Sequence, residues 1–264
     1  LHKEYRRQRQ MCIRDSIDLN QVFHLHNTTK PKVTVVYKKL PKELISDVNS
    51  ILEIDESDKV LGHELFQGGD KEVYNMSTDI FVVDTPFLIE KLEEEAAKEE
   101  PRKLRYVLRD LAVAENAFAY EYTGYLSNIH SVKAYFDANL DMLESHKFYK
   151  LFAPNQKVYT KVKNEEPTYY SDSSEVKLSQ FASGSIVRGK VENSVISRNV
   201  DLSEGSSVSH SILFPRVKVA KGATVEYAIV DKGVEIAEGV TIRGTENNPV
   251  VIKKGSVVTE DIVR

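Results

Sequence analysis

Two arginines in the C-terminal third are the residues whose presence is least explained by packing alone. Arg198 and Arg216 lie in a stretch where residue types recur at a spacing of seventeen, and no residue seventeen positions before or after either arginine is acidic. An arginine can bind a carboxylate or a phosphate through two parallel hydrogen bonds. The pair is therefore a candidate anion site for an effector. The alternative is two solvated surface arginines, which would contribute little.

His210 is the only histidine in the same stretch. A histidine at a ligand site could serve as a general acid or base. Its neighbours at the spacing of seventeen are Asn193 and Tyr227, so a polar ladder on the surface also accounts for it without chemistry.

The element that positions these side chains is a repeat. Apolar residues recur every six positions, and the segments VDLSEG, VKVAKG and VEIAEG, which begin at Val200, Val217 and Val234, match one another. Such units bury a core only when they stack, and small residues or glycine at the corners permit tight bends. The sequence predicts a left-handed parallel β-helix of hexapeptide repeats over residues 181–264.

The same register predicts charge ladders on this β-helix. Residues seventeen apart should stack about 4.8 Å from each other. Lys218 then lies between Asp201 and Glu235, and Lys221 lies between two glutamates in the same way. Opposite charges stacked like this stabilise a sheet, so both lysines have a structural explanation.

Residues 17–148 mix strand and helix signals. VTVVY at 33–37 and IFVV at 80–83 are typical of strands. Asp84, followed by Thr-Pro, predicts a helix start, and apolar spacing predicts a second helix over 132–144. The acidic stretch that follows the first helix start should be a solvated face. Strands alternating with helices favour an α/β architecture.

Composition excludes several classes of function. The net charge is −4, which provides no electrostatic footprint for nucleic acid or for an anionic membrane. No apolar run approaches the length of a membrane span. Cys12 is the only cysteine, which excludes a disulfide scaffold and fits a reducing cytoplasm.

The first sixteen residues differ from the rest. They are basic, they do not begin with methionine, and the run from Met11 to Ser16 resembles translated sequencing-adapter sequence. We expect residues 1–16 to be non-native or disordered, with the natural protein beginning further upstream. The alternative is a basic arm that binds nucleic acid.

Two motifs carry a family resemblance. GYLSNIHS at 124–131 and DANLDML at 137–143 resemble the G-Y-W-x-D-V-G-T and E-A-N-x-D-L-L patterns of bacterial glucose-1-phosphate adenylyltransferases. The resemblance implies the C-terminal part of a Rossmann-like nucleotidyltransferase domain at 17–148, a linker at 149–180, and the β-helix. It also implies the reaction of ATP with glucose 1-phosphate to give ADP-glucose and diphosphate in glycogen synthesis.

The motifs of the active site depart from the family pattern. The metal-binding aspartate of the family falls on Asn128, so Mg²⁺, which the family uses, should be held only weakly by this chain. In the family's S-M-G-I-Y pattern Ser77 is retained but the glycine is Asp79, so the resemblance implies a remnant of the substrate site at Ser77 and Asp79. A carboxylate there would repel a sugar phosphate unless a cation intervenes. GHELFQGG at 62–69 lacks the lysine of F-x-E-K-P.

These departures resemble the catalytically degenerate second subunit that some Gram-positive bacteria pair with an active adenylyltransferase. The resemblance implies a regulatory subunit without an intact catalytic residue or metal site. Its partner would be the active subunit in a hetero-oligomer, expected to be a tetramer, with a sugar phosphate as effector. Two alternatives remain: a catalytically active adenylyltransferase fragment, and a hexapeptide acyltransferase that uses His210.

Overall fold

The computed structural model describes residues 17–152 and 165–264. The expectation about residues 1–16 lies outside these ranges. The chain divides into two compact units, Leu1–Asn128 and Ile129–Arg264.

The first unit is an α/β layer structure built on a five-stranded sheet. Strand order is β3-β2-β4-β1-β5, with β1 antiparallel to β4 and parallel to β5. Its elements are α1 (Leu19–Thr29), β1 (Val33–Pro41), a 3₁₀ turn (Lys42–Leu44), β2 (Ser50–Ile54), β3 (Val60–Leu65), β4 (Val73–Val83), α2 (Thr85–Ala96), α3 (Leu104–Ala114) and β5 (Phe118–Glu121). Both predicted strands are confirmed. The β-branched start of β1 is buried on both faces, as expected for a central strand.

Helix α2 begins where the sequence predicted, with Asp84 as the N-cap and Pro86 in the first turn. The prediction of a solvated acidic face is wrong at Glu95, whose side chain is buried. Its carboxylate accepts hydrogen bonds from the backbone and guanidinium of Arg102 and from the ammonium of Lys98. These donors, Arg102 first, hold the pKa of Glu95 well below its usual range.

The second unit begins with two helices and continues as short strands. The helices are α4 (Val132–Leu140), followed by a 3₁₀ turn (Asp141–Leu143), and α5 (Ser145–Leu151). The strands are β6 (Tyr169–Tyr170), β7 (Glu175–Lys177), β8 (Gln180–Phe181), β9 (Ile186–Val187), β10 (Lys190–Glu192), β11 (Val195–Ile196), β12 (Asp201–Leu202), β13 (Ser207–Ser209), β14 (Ile212–Leu213), β15 (Lys218–Val219), β16 (Thr224–Glu226), β17 (Ala228–Val230), β18 (Glu235–Ile236), β19 (Thr241–Arg243), β20 (Val250–Ile252), β21 (Val257–Val258) and β22 (Ile262–Val263).

These strands form three parallel sheets around one core, which confirms the predicted β-helix. The orders are β22-β19-β16-β13-β10-β7, β20-β17-β14-β11-β8 and β21-β18-β15-β12-β9-β6. Leu202, Val219 and Ile236 stack at the predicted spacing of seventeen and are buried. The spacing between stacked residues changes at both ends of the β-helix. Ile196 stacks on Phe181 at a spacing of fifteen residues, and residues of β17 pair with residues of β20 at a spacing of twenty-two.

The second unit is larger than the predicted β-helix domain. The predicted helix at 132–144 is present, and Ser131 caps it by accepting from the backbone N–H of Ala134. Phe136 of this helix packs on Ile212 and Ile229, which face outward from one sheet of the β-helix. The boundary between the two compact units therefore follows residue 128, whereas the sequence predicted a domain boundary at residue 148. Apolar residues on an outer sheet face need a cover, and α4 provides it.

Part of the predicted linker at 149–180 is also β-helix. Strands β6 and β7 lie inside that range and pair with β9 and β10. The segment 153–164 lies outside the described residues. Within the described residues, no helix combines the length and hydropathy that crossing a membrane requires.

Candidate functional site

The two arginines singled out from the sequence lie on successive turns of the β-helix. The backbone N–H of Arg216 donates to the carbonyl oxygen of Arg198 at 3.0 Å. Arg216 has a positive φ of 65°. The equivalent corners of the other turns also have positive φ, and they are occupied by Gly184, Asn199, Gly233 and Gly255. An L-residue with a large side chain costs about 1 kcal/mol in this conformation, so Arg216 stands where glycine would be more stable.

The side chains of the two arginines differ in their partners. Arg198 Nε lies 3.6 Å from Glu165 Oε2, an ion pair that the sequence spacing did not reveal. Arg216 is exposed, and its guanidinium makes no hydrogen bond or ion pair with any residue in 17–152 or 165–264. Lys232 is the next basic residue along the same edge: it follows Asp231, and its carbonyl accepts from Gly255. The guanidinium of Arg216 is therefore available to an anionic ligand.

The predicted charge ladders are only partly formed. Lys218 does stack between Asp201 and Glu235, and its Nζ lies 2.8 Å from Glu235 Oε1. The hydrogen bond to Glu235 is the main cause that raises the pKa of Lys218. Asp201 pairs instead with Arg188 at 3.0 Å.

The second ladder has the predicted backbone register without the predicted ion pairs. Gly222 donates to the carbonyl of Glu204, and Gly239 donates to that of Lys221. Among the described residues, the side chains of Glu204, Lys221 and Glu238 form no ion pair with one another. The predicted charge ladder at Lys221 is therefore wrong for the side chains.

His210 is part of an aromatic stack. Its ring lies 4.8 Å from that of Tyr227, at an interplanar angle of 19°. Its Nδ1 is buried without a hydrogen-bond partner, and its backbone has a positive φ of 44°. A ring packed in this way is positioned by stacking, as the polar-ladder interpretation expected.

Asn128 is held by a loop of the first unit. Its side-chain amide donates to the carbonyl oxygen of Leu44 at 2.7 Å and to Oδ1 of Asn49 at 2.8 Å. The same Asn49 oxygen also accepts from the backbone and hydroxyl of Ser46. Asn128 therefore acts as a donor that ties its own segment to the chain between β1 and β2.

Ser77 and Asp79 lie in a bulge of β4. The register between β1 and β4 shifts so that Val36 pairs with Ile80 while Tyr37 pairs with Ser77, which leaves Thr78 and Asp79 unpaired. Asp79 has a positive φ of 56°, and its backbone N–H donates to the Ser77 hydroxyl at 3.3 Å. Glycine would adopt this φ at no steric cost.

The carboxylate of Asp79 meets a buried arginine that the sequence did not single out. Arg109 Nη2 lies 3.1 Å from Asp79 Oδ1 and 3.2 Å from Oδ2, and its Nε lies 3.4 Å from Oδ1. The Arg109 side chain is only 10% exposed. From the sequence we expected this carboxylate to repel a sugar phosphate unless a cation intervened. Arg109 is such a cation, and its charge neutralises that of the Asp79 carboxylate.

A buried histidine completes this group. His63 on β3 stacks on Phe81, and both of its ring nitrogens are buried without a hydrogen-bond partner. Burial, and next the charge of Arg109, lower the pKa of His63 to about 4, so the ring is neutral at neutral pH. No sequence pattern pointed to His63 or Arg109, since their proximity depends on how α3 packs against β3.

The residues at the family's metal position do not fit Mg²⁺. Magnesium prefers oxygen ligands, usually from carboxylates. At Asn128 the amide nitrogen faces two oxygen acceptors of the protein, and in the parts of the chain that the structure describes no three histidine, cysteine or acidic side chains converge.

The fold of the C-terminal part of the chain is that of a hexapeptide-repeat β-helix domain. Residues 164–263 match the family model described as GlmU-like, C-terminal hexapeptide. About three quarters of the chain is similar to bacterial glucose-1-phosphate adenylyltransferases and to proteins called GlgD, which confirms the resemblance drawn from the sequence motifs.

Three relatives illustrate this similarity. Glycogen biosynthesis protein GlgD of Bacillus subtilis is 34% identical over 75% of this chain and 55% of its own length. GlgD of Geobacillus stearothermophilus is 53% identical over 48% of this chain and 37% of its own length. Glucose-1-phosphate adenylyltransferase of Thermosipho africanus is 25% identical over 73% of this chain and 47% of its own length. The chain thus spans about half the length of the curated relatives that it matches.

Proposed function

We propose that this chain is a regulatory, non-catalytic subunit of a glucose-1-phosphate adenylyltransferase and acts in glycogen biosynthesis in the cytoplasm. One observation carries the proposal. The residue at the family's metal position, Asn128, donates its amide to Leu44 and Asn49. A carboxylate that held a cation would need to present oxygens at this point, and this position presents N–H groups to oxygens of the protein.

The sugar-phosphate position supports the same proposal. Asp79 stands where the family has glycine, and its carboxylate is bound to Arg109. The β-helix, in contrast, has one continuous buried apolar core. A chain that has this scaffold while Asn128 and Asp79 are each bound to other residues of the same chain is suited to assembling with a subunit that performs the chemistry.

The partner we propose is a catalytically active adenylyltransferase subunit, in a hetero-oligomer expected to be a tetramer. Mg²⁺ would be held by that partner and only weakly by this chain. The proposed effector is a sugar phosphate, and its site on this chain would include Arg198 and Arg216. Support for that site comes from the exposed guanidinium of Arg216 and from its position at a corner where glycine would relieve strain.

The proposal is tested by purifying the chain alone and after co-expression with an active adenylyltransferase subunit. We expect no ADP-glucose formation by the chain alone and a stable complex that contains both subunits. A turnover by the chain alone that is comparable to that of an active adenylyltransferase would refute the non-catalytic role. Failure of the two subunits to co-purify would refute the partnership.

A further inference from the structure

The first turn of the β-helix, which consists of β6, β7 and β8, leaves its core open. One residue from each of these strands stacks directly on a buried core residue of the next turn: Tyr170, Val176 and Phe181. Tyr170 is nevertheless 45% exposed and Val176 is 42% exposed, whereas the core residues Ile252 and Val258 of the last turn are 5% and 7% exposed. The core of a terminal turn needs a cover in a stacked-repeat protein.

The same three strands also have free edges. Each of them is the last strand of its sheet, with no further strand beside it in the part of the chain that the structure describes. A free edge offers unpaired backbone N–H and C=O groups to a strand of another chain. A partner that adds strands to this end would therefore cover the edges and the open core together.

The charges of β7 are complementary to those of a second, antiparallel β7. Glu175 pairs with Lys190 at 2.9 Å, and Lys177 pairs with Glu192 at 2.7 Å. If Val176 of one copy lies opposite Val176 of another, each Glu175 faces a Lys177 across the junction. The alternation of acidic and basic residues then continues from one copy into the next, and opposite charges directly across two strands stabilise their pairing.

A head-to-tail stack does not have this complementarity. The last strand of the same sheet is β22, in which Ile262 stacks on Ile242 and packs against the core. Placed on β7 in that register, β22 of a neighbouring copy would set Ile262 on Val176 and Asp261 on Glu175. Like charges directly opposite one another destabilise strand pairing. The charges therefore favour a two-fold contact between two first turns.

We propose that the first turn of the β-helix is a self-association surface that binds a second copy of this chain about a two-fold axis at Val176. The axis exchanges the other two sheets, so β6 of one copy meets β8 of the other. Tyr170 and Phe181, whose rings lie 5.4 Å apart within one chain, then face the same pair of the second copy. Both copies use the same surface, so the contact closes as a dimer.

This inference goes beyond the proposed function, because the contact joins two copies of this chain and needs no active subunit. It is tested with this chain alone. Its failure would leave the partnership with an active subunit untouched, and failure of that partnership would leave this contact untouched.

The test is sedimentation of the chain over a range of concentrations. The wild type should pass from monomer to dimer, and Lys177→Glu should raise the dissociation constant about tenfold, because it places like charges at both ends of the β7 junction. The double variant Glu175→Lys, Lys177→Glu should restore the dimer. It restores opposite charges across the junction, although it leaves like charges at Lys190 and Glu192 within each chain.

The matched control is Lys218→Glu. This change also replaces a lysine by glutamate and breaks a pair within the chain, with Glu235, but it lies in the middle of the β-helix. Dimer formation should be unchanged. A control that weakens the dimer as much as Lys177→Glu does would show that the effect is not specific to the first turn, and would overturn the proposal.

Four further results would overturn the proposal. The first is a wild-type chain that stays monomeric at every concentration, including one whose first turn gains protection from hydrogen exchange only when an active subunit is added. The second is a mass that keeps rising beyond the dimer, as a head-to-tail stack would give. The third is a dimer unaffected by Lys177→Glu, and the fourth is a double variant as weak as the single one.

If circular dichroism shows that Lys177→Glu does not fold, Val176→Cys in a Cys12→Ser background takes its place. Residues opposite each other in antiparallel strands have Cα atoms about 4.5–5.5 Å apart, which is within the range of a disulfide. Oxidation should therefore give a covalent dimer. Val257→Cys in the same background is the control, since Val257 is exposed in the last turn and should give none. Equal yields from the two variants, or no covalent dimer from Val176→Cys, would count against the proposal.

Discussion

The side-chain amide of Asn128 donates a hydrogen bond of 2.7 Å to the backbone carbonyl of Leu44. A second bond of 2.8 Å reaches Asn49 Oδ1, and Asn49 in turn accepts from Ser46. The residue that the motif resemblance aligns with a metal ligand is here part of a hydrogen-bonded loop. An aspartate could not replace Asn128 in that role, because a carboxylate has no N–H to donate.

This arrangement predicts that Asn128→Asp will not restore a metal site. The carboxylate would face the Leu44 carbonyl and Asn49 Oδ1, so two hydrogen bonds would be replaced by contacts between acceptors. We expect the free energy of unfolding, measured with denaturant, to fall by about 1 kcal/mol. Calorimetry should detect no Mg²⁺ binding stronger than in the wild type. A variant as stable as the wild type that also forms ADP-glucose would show that Asn128 is an eroded ligand and nothing more.

The positive φ of Arg216 predicts a trade-off between the stability of the fold and the binding of an effector. Arg216→Gly should raise the free energy of unfolding by about 1 kcal/mol, since glycine adopts a positive φ without steric cost. If the proposed effector site is present, the same variant should bind sugar phosphates more weakly.

The control for this variant is Asn199→Gly, one turn away. Asn199 also has a positive φ, but asparagine tolerates it, so the gain in stability should be smaller. Sugar-phosphate binding that is identical in wild type and Arg216→Gly would remove Arg216 from the effector site.

The contact between α4 and the β-helix predicts a large effect at Phe136. This ring is buried against Ile212 and Ile229, so Phe136→Ala should lower the free energy of unfolding by about 3 kcal/mol. Tyr149→Ala is the matched control, because Tyr149 is 66% exposed and its loss should change stability little. Equal effects of the two substitutions would indicate that α4 is not anchored on the β-helix in solution.

The buried Glu95 predicts a pH-dependent contribution to stability. Its pKa is held below the usual value by Arg102 and Lys98. The contribution is therefore complete above the unfolded-state pKa of about 4.3 and is lost as pH falls through the lower folded-state value.

Glu95→Gln should consequently lower Tm at pH 7, and the gap from the wild type should narrow below a pH of about 4. Glu94→Gln, at a more exposed glutamate of the same helix that pairs with Lys91, should show a much smaller gap. A gap for Glu95→Gln that stays constant down to pH 2 would contradict the ion-pair origin of the effect.

The β-helix was predictable from sequence because stacking forces the same residue types to recur. Leu202, Val219 and Ile236 occupy one inward position on successive turns, so an apolar residue recurs there every seventeen positions. The changes of spacing at the first and last turns were not predictable, because irregular turns dilute the repeat there.

The site was predictable only where a motif marked it. Asn128, Ser77 and Asp79 came from motif positions, whereas Arg109 and His63 lie on elements that meet only in three dimensions. Glu95 looked solvated in an acidic run, and its burial follows from Arg102, which returns to it across the turn after α2. Local pattern does not contain such pairings.

The most direct test of the central claim is an assay of ADP-glucose formation by a fixed amount of an active adenylyltransferase subunit while this chain is added. We predict that the rate changes and then levels off at a fixed ratio of the two chains, and that this chain alone gives no product. Albumin added at the same concentrations should have no effect. An unchanged rate at every ratio, or product formed by this chain alone at a rate comparable to that of the active subunit, would contradict the account.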